Sequence, residues 1–97
     1  MIVRLDGKKL ADTAGLLTAL GNALGFTVKN RDALVDALTH LDDVKSGSAI
    51  VFPGEIVLLA IDGPAKAAGQ LGEIAAFVNW RRFEKGQPPI LALAYEL

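Results

Sequence analysis

Two carboxylates, Asp32 and Asp36, stand one helical turn apart in the run Asn30-Arg31-Asp32-Ala33-Leu34-Val35-Asp36-Ala37-Leu38. On a helix they share one stripe with Thr39 or His40, while Leu34, Leu38 and Leu41 lie on the other side. Like charges at i, i+4 cost a helix a few tenths of a kcal/mol, roughly 0.2–0.5, so folding alone gives little reason to pair them. Anions fixed on a rigid helix suit another task. They can meet a cluster of Arg, Lys and His that holds phosphate, forming charge-assisted hydrogen bonds without offering a bond to cleave. A solvated helix face would carry the same stripe, and Asp32 in the first turn also complements the helix dipole. Lys29 and Arg31 flank the acids and are placed to neutralise either one in part.

Other chemistry finds less support. His40 lies four residues beyond Asp36, but two ligands with no cysteine and no second histidine make a poor metal site, so neither metal nor cofactor is expected. Trp80-Arg81-Arg82-Phe83 with Lys85 sets cations beside aromatics, a combination able to hold a phosphate backbone or stack a base. Cations near a helix C-terminus also complement its dipole, and a net charge of -1 removes any diffuse attraction to nucleic acid, so no direct nucleic-acid partner is expected. With one histidine, no cysteine, no Gly-x-Ser-x-Gly elbow and no glycine-rich phosphate loop, the chain reads as something other than an enzyme.

The elements that must hold the acids follow from 97 residues, enough for one domain over 1–97 with one core. Composition is that of an ordered globular protein, 52% apolar and 22% charged. The lack of cysteine fits a reducing compartment, no basic-apolar leader is visible, and no apolar run nears the ~20 residues of a membrane span, so a cytoplasmic protein off the membrane, a monomer when free, is expected.

Residues 2–5 read as a strand closed by the turn pair Asp6-Gly7, and Asp12-Thr13 can cap a helix over 13–24 carried by Leu16, Leu17, Leu20 and Leu24 and stopped at Gly25. A second helix starts at the cap Asn30 and runs to about Leu41. Residues 44–54 read as a loop with a small extended piece at 49–52. The apolar run 55–61 predicts a strand covered on both faces. After Asp62-Gly63-Pro64 a helix interrupted early by Gly69 and Gly72 keeps an inward face through Ile74, Ala75, Val78 and Phe83, and residues 90–95 form a last strand. Long helical connections favour parallel pairing, so the fold class is α/β: two layers, a three-stranded parallel sheet of order 1-2-3 with the helices on one face.

In Asn30, Asp32, Ala33, Leu34, Asp36 and Leu38, set within that element order, the chain resembles the barstar-like ribonuclease inhibitors. The resemblance spans about two thirds of the chain and implies a barstar-like fold and a protein that plugs a ribonuclease active site, its acids imitating RNA phosphates. Carried over, Asp36 is the chief acid and Asp32 its neighbour, with Lys29, Asn30 and Val35 at the contact edge. The implied partner is a small basic ribonuclease, from which the inhibitor protects the cell that makes it, as in toxin–antitoxin-like immunity. Where the family usually has Pro, two aromatics and Gly before the second helix, this chain has the shorter Phe26-Thr27-Val28-Lys29, and an acid near the end of the last helix falls at Arg81. The alternative is a protein-binding module of the same fold with a different, non-nuclease basic partner.

Overall fold

Along β1 (Ile2–Asp6), Val3 and Leu5 are buried while Ile2, Arg4 and Asp6 are exposed, the period of two that marks a strand with one covered face. The computed structural model describes residues 1–46 and 49–96. It pairs β1 with β2 (Val57–Asp62), and β2 with β3 (Leu91–Tyr95), in one parallel sheet of order β1-β2-β3, as the sequence predicts. Val3 pairs with Leu59, Leu5 with Ile61 and Val57 with Leu91, so the buried strand residues all project from the same side. There they meet Leu16 and Leu20 of α1 (Thr13–Leu24), Leu34 and Leu38 of α2 (Arg31–Thr39), and Leu71, Ile74 and Val78 of α3 (Ala68–Glu84) in one core. The result is a two-layer α/β fold.

The expectation that the 55–61 run is covered on both faces is corrected. Buried and half-buried residues alternate along β2, and Leu58 and Ala60 look out on the uncovered side beside Ile2, which is 69% exposed. A central strand flanked by two others is shielded at its edges even without a second helical layer, so a continuous apolar run does not require one.

α1 has the bounds read from the sequence. Asp12 caps it by accepting a hydrogen bond from Gly15 N at 2.7 Å, and Gly25 ends it at φ +85°, the left-handed region that glycine enters without steric cost. α2 is shorter than expected, ending at Thr39 with His40 as its cap, though Leu41 is buried as predicted. No strand forms at 49–52. Instead Ile50 N and Val51 N both donate to Leu41 O, pinning the loop to the end of α2, while Gly47 and Ser48 of the predicted loop lie outside the described residues.

α3 runs unbroken through Gly69 and Gly72, and its inward stripe is Leu71, Ile74, Ala75, Val78 and Arg82. Phe83, predicted on that stripe, is 68% exposed. It lies about 100° around the helix from Arg82. Asn79 docks α3 on the final strand: its Nδ2 donates to Leu91 O at 2.9 Å, and its Oδ1 accepts from Ile90 N and Leu91 N at 3.0 and 3.1 Å. Asn79→Ala strands three backbone groups at the edge of the core, an expected loss of about 2 kcal/mol readable from the urea midpoint.

Candidate protein-binding site on the second helix

The chain enters α2 through a tight reversal. Gly21 O accepts from both Gly25 N and Phe26 N, at 2.8 and 2.9 Å, and a Cβ on Gly21 would stand 2.5 Å from Phe26 O. Phe26 and Val28 then pack partly against the core. Asn30 caps the helix, its Oδ1 accepting from Ala33 N at 2.8 Å. This cap fixes where α2 begins and so where Asp32 and Asp36 point. Asn30→Ala is expected to cost about 1 kcal/mol, seen as a lower unfolding midpoint.

The far end of α2 is held by a contact that the sequence reading missed. Arg82, 1% exposed, meets Asp42 in a two-pronged pair, Nη1 to Oδ1 at 2.9 Å and Nη2 to Oδ2 at 2.8 Å. Its Nη1 also donates to Thr39 O and its Nε to Pro88 O, both at 2.8 Å. One guanidinium thus ties together the end of α2, the end of α3 and the segment leading into β3. Beside it, the buried Thr39 hydroxyl donates to Val35 O at 2.6 Å and is satisfied within its own helix.

Hydrogen bonds from Arg82 hold the Asp42 carboxyl below the usual aspartate range, with the guanidinium charge adding to them and partial burial opposing. A depressed folded-state pKa contributes stability at pH values above the unfolded value of about 3.9, and loses it as pH falls through the folded value. Acid unfolding should therefore begin below about pH 4, and Asp42→Asn should flatten the dependence of the urea midpoint on pH in that range.

Between these anchors the acids face outward. Asp36 is 70% exposed at its side chain, and the His40 ring lies beside it, with Nδ1 3.7 Å from Oδ1. The His40 ring is oriented by the Asp36 backbone, Nδ1 lying 2.8 Å from Asp36 O. Arg31, placed by the sequence to neutralise the acids, reaches instead to Glu73 of α3 at 3.4 Å. Asp32 and Lys29 are exposed, and Asp32 makes no ion pair among the described residues. Next to Asp36 is a shallow groove of about 260 Å³ between α1 and α2, with Leu24, Phe26 and Leu41 as its apolar lining and His40 on its rim. The surface offers a partner two fixed anions beside a small apolar recess.

Two sequence expectations are corrected by this geometry. Val35, assigned to the contact edge, is 3% exposed and belongs to the core, because α3 covers a second flank of α2 and the buried stripe takes in Val35 and Thr39 as well as the leucines. The basic cluster at 80–85 is split: Arg82 points inward to Asp42, and Arg81 lies over the Phe77 ring with its guanidinium 6.0 Å from the centroid. A signal for Arg82 was present, since it continues the Leu71, Ile74, Ala75, Val78 spacing. Among the described residues no cluster of three or more His, Asp or Glu is arranged to hold a metal ion, and no helix is long and apolar enough to cross a membrane.

The structure is an α/β protein whose second helix, capped by Asn30 and tied near its far end by Arg82, carries two exposed acids. The model of the Barstar (barnase inhibitor) family matches residues 1–86 of the chain, which therefore belongs to that family, one of inhibitors and not of enzymes. No curated protein and no solved structure gives a significant match.

Proposed function

We propose that this chain is an intracellular inhibitor of a small basic ribonuclease, acting in the cytoplasm by laying α2 across the enzyme's active site. Asp36 takes the place of an RNA phosphate among the enzyme's cationic groups, Asp32 and Lys29 make the surrounding polar contacts, and Asn30 contributes by capping the helix. The observation that carries this reading is the state of Asp36: it faces outward from a helix capped by Asn30 and tied to α3 near its far end, with His40 beside it.

The physical economy of the site lies in its rigidity. A carboxylate on a capped helix forfeits little further freedom on binding, so more of the charge-assisted hydrogen bonding appears as affinity. It offers no scissile phosphodiester, and the complex goes no further. Because both partners are charged at the contact, association should slow as salt is raised from about 50 to 500 mM, where the screening length falls from roughly 14 to 4 Å. Stopped-flow mixing with a ribonuclease that the chain inhibits measures this.

Titration against barnase and other small basic ribonucleases, with RNA cleavage as the readout, tests the proposal. Stoichiometric loss of activity is the expected result. No loss with any of them would turn the reading toward a binding module of this family with a non-nuclease partner.

A further inference from the structure

The only histidine of the chain, His40, stands beside the acid on which the proposed function turns. Its Nδ1 lies 2.8 Å from Asp36 O and 3.7 Å from Asp36 Oδ1. A carbonyl oxygen only accepts, so Nδ1 carries a hydrogen even in the neutral ring, and Nε2 is the atom that gains or loses a proton. No hydrogen bond to Nε2 forms among the described residues. The side chain is 42% exposed, on the rim of the groove that Leu24, Phe26 and Leu41 line next to Asp36.

The charges around the ring come from each element packed near it. Within α2 the nearest group is the Asp36 carboxylate. Beyond the helix, Asp42 is engaged first by hydrogen bonds from Arg82 of α3 and also feels the charge on His40. Asp43, three residues on, donates its backbone N–H to His40 O. α1 and the turn after it supply Leu24, Gly25 and Phe26 to the groove, none of which titrates. The charged groups near the ring in the free chain are thus acids and an arginine already bound to one of them. A basic enzyme docked on Asp36 reverses that setting by bringing cations to the same spot.

We infer that His40 is a partner contact whose protonation sets how tightly α2 holds the ribonuclease. In the neutral ring, the Nε2 lone pair joins the Asp36 carboxylate in accepting hydrogen bonds from the enzyme's phosphate-holding cations. In the protonated ring, the lone pair is gone and a like charge faces those cations. This rests on the function proposed above. Docking also closes the groove over its apolar lining and drives out water, so like charges repel more strongly there than in solvent. Binding therefore favours the neutral ring and releases a proton wherever the free chain carries an imidazolium, and inhibition weakens as the solution turns acid. The Arg82–Asp42 clamp stays charged through this range, since its carboxyl is held below the usual aspartate range by hydrogen bonds from Arg82.

The test measures inhibition of barnase and other small basic ribonucleases at about pH 7.5 and about pH 5.5 by the full-length wild-type chain, His40→Gln and His40→Lys, with ratios between chains cancelling each enzyme's own response to pH. Relative to His40→Gln, which cannot take the proton, the wild-type inhibition constant should weaken on the order of tenfold between the two. His40→Lys, charged throughout, should inhibit weakly at both. A second readout needs no variant: with its single histidine isotope-labelled, the wild-type chain can be followed by NMR, and the ring should stay neutral to lower pH in the complex than in the free chain. The same pH dependence for wild type and His40→Gln, with a ring that titrates alike free and bound while Asp36→Ala still loses inhibition, would overturn this inference and leave the α2 function standing. Inhibition that strengthens in acid for the wild type alone would overturn it too. A wild-type chain that inhibits no ribonuclease at either pH overturns both.

Discussion

Asp36→Ala is expected to weaken inhibition by about 100-fold or more while leaving the fold as stable as before, or slightly more so. The loss follows from the other side of the interface: phosphate-holding cations, desolvated by the docked helix, would be left without their anion, and a buried charge stripped of its partner costs about 3 kcal/mol or more. Stability moves the other way because the Asp36 side chain is 70% exposed and pairs only loosely with His40, while removing one member of an i, i+4 acid pair relieves a few tenths of a kcal/mol. Asp36→Asn keeps the shape and removes the charge, so it should lose nearly as much affinity. Asp32→Ala should cost less, since Asp32 lies in the first turn, farther from the groove between α1 and α2. Inhibition constants and urea midpoints for these three variants separate binding from folding.

The second large effect is on stability. Arg82→Ala is expected to cost about 3–5 kcal/mol, because it leaves Asp42 without its cation in a mostly buried position and the carbonyls of Thr39 and Pro88 without a donor. For a domain of this size that lowers the melting temperature by more than about 12 °C. Lysine should rescue it poorly, since one ammonium cannot reproduce two parallel bonds to a carboxylate and a third to a carbonyl on the far side. Asp42→Ala should cost less than Arg82→Ala, and the double variant less than the sum, as expected for two halves of one clamp. Calorimetry on the four proteins measures the coupling directly.

What could be read from the sequence was local, and what could not was the pairing of distant residues. Asp12 and Gly25 bracket α1 by cap chemistry that operates within one turn, and the leucines of α1 and α2 repeat at helical spacing, so both helices were visible. The parallel direction of the strands followed from the length of the connections and their order from a winding that never reverses, and the outward placement of Asp32 and Asp36 from their spacing against Leu34 and Leu38. Val35 was misplaced because the family resemblance carried it to the contact edge, and nothing in α2 itself reveals that α3 covers its second flank. Arg82 is the clearest case: a cation among cations looks like surface until its carboxylate, 40 positions earlier in the chain, is brought against it by the fold. Phe83 is the converse, an aromatic read as core that the same register turns outward.

The most direct measurement is the dependence of inhibition on substrate, with a short RNA cleaved by a ribonuclease that the chain inhibits. If Asp36 stands where a phosphate of the RNA would stand, raising the RNA concentration should raise the apparent inhibition constant in proportion and leave the limiting rate untouched. Inhibition that lowers the limiting rate and is indifferent to RNA concentration would place the chain elsewhere on the enzyme and contradict the account.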